Sequence, residues 1–152
     1  MARKKQTKRK ISCAKLPLQR QLQFGHEGRY FDLRTVFDKL NAKYFRNALR
    51  RYVILWGRKR KLPPMEYFVF GSIQEEDRII RIHPLLDQRF VPAWFLEYVI
   101  YHEMCHAVVR DEYDSAGRRI VHHEKFWERE RRFPSYRRAK RWEEENLARF
   151  LR

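Results

Sequence analysis

Between residues 31 and 50, apolar side chains recur at spacings of three and four: Leu33, Val36, Phe37, Leu40, Tyr44 and Phe45. That period predicts a helix, and Asp32 just ahead of it suits an N-cap. The period then changes. Tyr52-Val53-Ile54-Leu55-Trp56 is β-branched and aromatic, the composition of a strand. A basic loop from Gly57 to Pro64 leads to a second predicted strand, Tyr67-Phe68-Val69-Phe70, ended by Gly71. Alternation from Asp77 to His83, through Ile79, Ile80, Arg81 and Ile82, predicts a third. Connections of these lengths suit an antiparallel meander.

Pro92 opens the next helix, which the pattern carries to about Tyr113. Phe95, Val99, His102, His106, Val109 and Tyr113 fall on one stripe of it. A loop over Asp114–Arg119 contains Gly117. A short helix is expected from about His123 to Arg132, stopped by Pro134. A last one is expected from about Ser135 to Leu151, with Tyr136, Ala139, Trp142, Leu147 and Phe150 as candidates for burial. The predicted architecture is α+β over residues 29–152. It comprises an N-terminal helix, a three-stranded, largely antiparallel sheet, a long helix packed on it, and one or two C-terminal helices. No internal repeat is visible.

Residues 1–28 read differently. The first ten, MARKKQTKRK, hold six basic residues and no acid. Such a block repels itself and buries no apolar surface, so a disordered tail is expected, with Gly25 and Gly28 at its end. The whole chain of 152 residues carries 35 Lys and Arg against 19 Asp and Glu, a net +16. That excess points to a polyanionic partner such as DNA or another nucleic acid. No run approaches the roughly 20 apolar residues of a membrane span, and no secretory h-region follows the basic start. The two cysteines, Cys13 and Cys105, suit free thiols in a reducing compartment rather than a disulfide framework. These features point to a soluble, cytoplasmic protein with no membrane partner; a nucleoid-associated or nuclear site suits the same charge.

The chemistry lies in His102-Glu103-Met104-Cys105-His106. Four residues apart on a helix, the two imidazoles share one face and can share one metal ion. Zinc takes imidazole nitrogens at about 2.0–2.1 Å. Glu103, one residue on, points beside such a metal, where it can deprotonate the water that attacks a peptide carbonyl. The bland alternative is a buried helix with two hydrogen-bonded core histidines. A catalytic zinc has a third protein ligand and one open position. The longer pattern HExxHxxGxxH fails, because Val109 and Glu112 stand at its Gly and His positions. His122, His123, Glu112, Asp114 and Glu124 remain as candidates. Glu112 is rotated off the ligand face, while His122 and His123, at the mouth of the next helix, can both fold back.

Tyr101 to Ala107, followed after a loop by His122-His123-Glu124-Lys125-Phe126, resembles the SprT-like zinc metalloprotease family. That family pairs HExxH with a histidine four residues before an aromatic, usually in a His-Gly-x-x-Phe run. His122 precedes Phe126 by four and so matches the ligand; His123 stands where the family usually has Gly. The likeness extends upstream through Phe37, Leu40, Asn41, Tyr44 and Phe45, then Ile54, Trp56, Gly57 and Arg58, then Gly71, Ile80, Ile82, Pro84 and Leu85. It covers roughly residues 31 to 135. The resemblance implies a zincin-like fold, a zinc ion on His102, His106 and His122, and Glu103 as general base and proton donor. It also implies a protein or peptide substrate, extended along the sheet edge and associated with nucleic acid. No CxxC pair occurs in these 152 residues, so the C-terminal zinc ribbon that bacterial relatives often add is not expected here.

Two functions follow as expectations: a zinc endopeptidase acting on nucleic-acid-associated proteins, or a zinc-stabilised basic nucleic-acid-binding protein with little or no protease activity. For nucleic-acid contact the candidates are the tail and Arg58, Lys59, Arg60 and Lys61, whose bland reading is a solvated loop. Tyr and Trp beside basic residues can stack on single-stranded bases. The basic residues of the last helix face Glu143, Glu144 and Glu145 and read as an ordinary charged surface. Residues 2–10 resemble a core-histone tail, differing at positions 4 and 8, and also fit a nuclear-localisation patch; in so short a basic stretch the likeness is usually compositional. Cys105 reads as small core filling, and His26 and His83 as structural or exposed.

Overall fold

Asp32 begins the first helix as its composition requires: the carboxylate accepts the Thr35 N–H at 2.9 Å. Helix α1 spans Leu33–Phe45 and buries Leu33, Phe37, Leu40, Asn41 and Phe45. The computed structural model describes residues 25–58 and 68–151. The basic tail up to residue 24, Lys59, Arg60, Lys61 and Tyr67 lie outside those residues.

Three strands follow: β1 (Val53–Trp56), β2 (Gly71–Gln74) and β3 (Ile79–Ile82). They do not form the antiparallel meander expected from the connection lengths. The strand order is β1-β3-β2, with β1 parallel to β3 (Val53 opposite Ile79) and β2 antiparallel to β3 (Gly71 opposite Ile82). Fourteen residues, 57–70, separate β1 from β2 in the chain. The short turn over Glu75–Arg78 makes β2 and β3 a hairpin instead. The apolar strand Ile79-Ile80-Arg81-Ile82 takes the centre, with Ile80 and Ile82 fully buried. The polar strand Gly71-Ser72-Ile73-Gln74 takes the edge, where alternate residues meet water. The second strand also begins later than its aromatics suggest. Phe68 and Phe70 precede it and are buried against the C-terminal Phe150, with ring centroids at 5.4 and 5.3 Å.

After a 3-10 turn at Pro84–Leu86, helix α2 runs over Ala93–Val108. It packs on the sheet and touches every other helix. Instead of one stripe, nearly its whole circumference is buried, from Phe95 through His106, as expected of a core helix. It ends five residues before Tyr113. Val109 turns extended, and Glu112–Tyr113 (β4), expected as the end of the helix, pairs antiparallel with Arg119–Ile120 (β5) across the expected loop. Asp114 closes that hairpin by accepting the backbone N–H groups of Ala116 and Arg118, each at 2.9 Å. Helices α3 (Glu124–Glu130) and α4 (Tyr136–Phe150) complete a mixed α+β fold. α4 buries Ala139 and Phe150 and lays Trp142 against Phe95 at 4.2 Å between centroids. No described helix is long and apolar enough to cross a membrane.

Candidate metal centre

Helix periodicity puts His102 and His106 one turn apart on the buried backbone of α2. The β4–β5 hairpin then carries the chain back, so that His122 reaches the same spot from the link between β5 and α3. His106 Nε2 lies 3.2 Å from His102 Nε2 and 3.1 Å from His122 Nε2. Ligand atoms of the three residues all fall within 4.8 Å of one another, close enough to hold one metal ion. Imidazole nitrogens around one tetrahedral ion stand roughly 3.3 Å apart, which the two contacts of His106 match. Phe126 seats the group: its ring stacks on His106 with centroids 4.3 Å apart.

The tautomer of His102 is set from behind. Glu130, buried on α3, sits with Oε1 at 2.6 Å from His102 Nδ1, and Tyr98 donates its hydroxyl to the same oxygen at 2.7 Å. Burial raises the Glu130 pKa, but the bonds from His102 and Tyr98 outweigh it and hold the carboxyl below its ordinary value. An ionised Glu130 accepts the hydrogen bond from Nδ1–H, which keeps the proton on Nδ1 and leaves the Nε2 lone pair facing His106 and His122. Burial, with the neighbouring imidazoles, pushes His106 down to about 3 and lowers His122 as well. Both rings are therefore neutral at pH 7, the form a metal requires.

Glu103 lies in the same cleft, which has a volume of about 710 Å³ and is also walled by edge strand β2. The residue is 5% exposed, and burial raises its pKa to about 7 against an opposing pull from His102. It rests against the bare backbone of Gly71. A β-carbon there would stand 2.7 Å from Glu103 Oε1, so only glycine leaves the carboxyl its place. Cys105, inside the motif, points into the core; burial raises its thiol to about 12, which makes it filling rather than a nucleophile.

The other candidate ligands are engaged elsewhere. His123 is buried, with Nε2 at 2.9 Å from the Arg110 carbonyl. Glu112 pairs with Lys125 at 2.8 Å, Asp114 with Arg118 at 2.7 Å and Glu124 with Arg131 at 2.6 Å. His83 caps the 3-10 turn, accepting the Leu85 N–H at 3.2 Å, and His26 stands 3.3 Å from Asp32. Arg58 is exposed; Lys59, Arg60 and Lys61 lie outside the described residues. Sequence reasoning missed Glu130, Tyr98 and Gly71. The spacing of Glu130, eight after His122 and one helix removed from the motif, carried no signal of its own. No protein-family model, curated protein or solved structure matches the chain.

Proposed function

We propose that the chain is a zinc-dependent endopeptidase of the zincin-like, SprT-like kind, acting on proteins associated with nucleic acid. The observation that carries this reading is the set of three imidazoles with ligand atoms within 4.8 Å of one another, lining a cleft that Glu103 also lines. His102, His106 and His122 would hold the ion, and three ligands leave a fourth position open, as catalytic rather than structural zinc requires. Such an ion supplies Lewis acidity: it polarises a carbonyl and lowers the pKa of water at the open position to about 7.

The protein's own groups do the rest. Glu130 and Tyr98 fix the His102 ring. Among the described residues β2 pairs only with β3, and its outer edge would take an extended peptide beside the Glu103 carboxyl. Glu103 accepts a proton from the attacking water as the new C–O bond forms. It returns that proton to the amine nitrogen as the C–N bond breaks. The basic composition, +16 overall, supports nucleic acid as the setting in which substrates are met.

Cleavage of unfolded and DNA-bound protein substrates tests the reading, with wild type, chelated protein and Glu103→Gln side by side. Cleavage is expected from the zinc-loaded wild type alone. A Glu103→Gln variant as active as wild type would sink the mechanism. The charge favours a second reading, a zinc-stabilised nucleic-acid-binding protein; zinc-loaded wild type that binds DNA and cleaves nothing would select it.

A further inference from the structure

A second cleft, of about 760 Å³, opens beside the C-terminal turn of α2, where Ala107 and Val108 line it. Its other walls are residues 46–52, which follow α1, and Arg78 on the β2–β3 turn. Four lining side chains are guanidiniums, Arg46, Arg50, Arg51 and Arg78, and none is acidic. All four are exposed. The arginines that pair with carboxylates among the described residues are elsewhere: Arg34, Arg118, Arg119 and Arg131. The β2–β3 turn also carries three exposed acids, Glu75, Glu76 and Asp77, none of which lines this cleft; Glu75 lies 3.9 Å from Arg119 and lines the metal cleft, and Asp77 stands 3.5 Å from the Gln74 amide.

The cationic residues are held in fixed turns. Arg46 and Arg78 have φ of 50° and 54°, the left-handed region that normally selects glycine. Buried Asn41 pins the turn after α1: its carbonyl accepts the Asn47 N–H at 3.0 Å and its Oδ1 the Leu49 N–H at 3.2 Å. The dipole of α1 favours a cation at Arg46, but it accounts for one arginine and not four. Arginine at two positions that glycine would fill without strain points to a use for the side chain.

We propose that this cleft docks the phosphodiester backbone of nucleic acid, with Arg46, Arg50, Arg51 and Arg78 as the phosphate contacts. Guanidinium matches phosphate in a planar, bidentate fit. Four of them around one concave surface suit a run of phosphates rather than a single anion. The site also borders the metal cleft. Ala107 directly follows His106, and the β2–β3 turn gives Glu75 to one cleft and Arg78 to the other. Nucleic acid docked there would bring its bound proteins to the metal centre. The inference deepens the substrate side of the proposed function, and its test reads no cleavage, so either can fail alone.

The test uses the full chain with fluorescein-labelled 20-nucleotide DNA, single- and double-stranded, and RNA of the same length, followed by anisotropy across a salt series. The variant replaces Arg46, Arg50, Arg51 and Arg78 by Gln. Its control replaces Arg110, Arg132, Arg137 and Arg141, exposed arginines outside the cleft. The cleft variant is expected to bind at least about tenfold more weakly. The slope of log K against log salt is expected to flatten by roughly 3, at about 0.7–0.9 per lost phosphate. The control is expected to change by less than about threefold. The three probes show which nucleic acid is preferred.

Equal losses in variant and control would reduce the effect to bulk charge and overturn the proposal, as would no loss in the cleft variant. Polyglutamate binding that falls as steeply as oligonucleotide binding would also overturn it. The pair Arg46→Gly with Arg78→Gly separates binding from folding, because glycine suits both backbone positions. Its melting temperature is expected to hold while oligonucleotide affinity falls; unchanged affinity would contradict the assignment.

Discussion

Replacing Glu103 by Gln in metal-free protein should make it more stable at alkaline pH. The carboxyl is pushed from an ordinary 4.5 to about 7 by burial, so the fold binds its proton more tightly than the unfolded chain does. Between those values the unfolded state ionises while the folded state cannot. The group's contribution is therefore intact below pH 4.5 and lost as pH rises through 7. At about 1.4 kcal/mol per pH unit the loss amounts to about 3 kcal/mol, or roughly 6–12 °C in melting temperature for a chain of this size. Gln keeps the shape and carries no charge.

Melting curves of chelator-treated wild type and Glu103→Gln, taken from pH 5 to 8.5, give the difference directly. The two should nearly coincide at pH 5, and the variant should melt well above wild type at pH 8.5. His106 and His122, both lowered by burial, lose stability as pH falls below the ordinary histidine value, but they do so in both proteins. Parallel profiles, or a variant less stable at pH 8.5, would refute the idea that a buried, poorly solvated Glu103 waits beside the metal centre.

Gly71→Ala puts a methyl 2.7 Å from Glu103 Oε1; it should leave zinc content intact and lower kcat by about a hundredfold, since an ångström of misplacement costs that much. Glu130→Gln replaces the charged acceptor behind His102 by a neutral amide and Glu130→Ala removes it; zinc affinity should weaken in both, by about 10–100-fold in Glu130→Ala, in a competition titration against a chromogenic chelator. Tyr98→Phe should have a smaller effect of the same sign. Chelation alone should lower the melting temperature, by an amount that grows with the zinc occupancy it reverses; zinc at a thousand times its Kd is worth about 4 kcal/mol.

The elements that position the site were legible where side-chain chemistry is local. Asp32 and Pro92 mark the helix starts within a residue, and the two motif histidines needed only a helical period. What depended on partners was not. Phe68 and Phe70 look like a strand because they are aromatic, yet they are core plugs for Phe150, and the real strand is the unpromising Gly71–Gln74. Parallel pairing of β1 with β3 leaves no local trace, because connection length sets reach and not neighbours. The two-residue strands β4 and β5 are too short for any periodicity. Glu130 lies in a run with Glu124 and Glu128 that looks like a solvated helix face; only packing against Tyr98 and His102 distinguishes it. His122 and His123 are equivalent by distance along the chain. Three-dimensional structure separates them, turning one toward His106 and the other toward the Arg110 carbonyl.

The central claim is that His102, His106 and His122 hold one zinc. Elemental mass spectrometry of purified wild type, His122→Ala and His123→Ala tests it most directly. The account predicts about one zinc per wild-type chain, lost in His122→Ala and kept in His123→Ala. Wild type that takes up no zinc even when it is supplied, or His122→Ala that keeps its zinc, would contradict it.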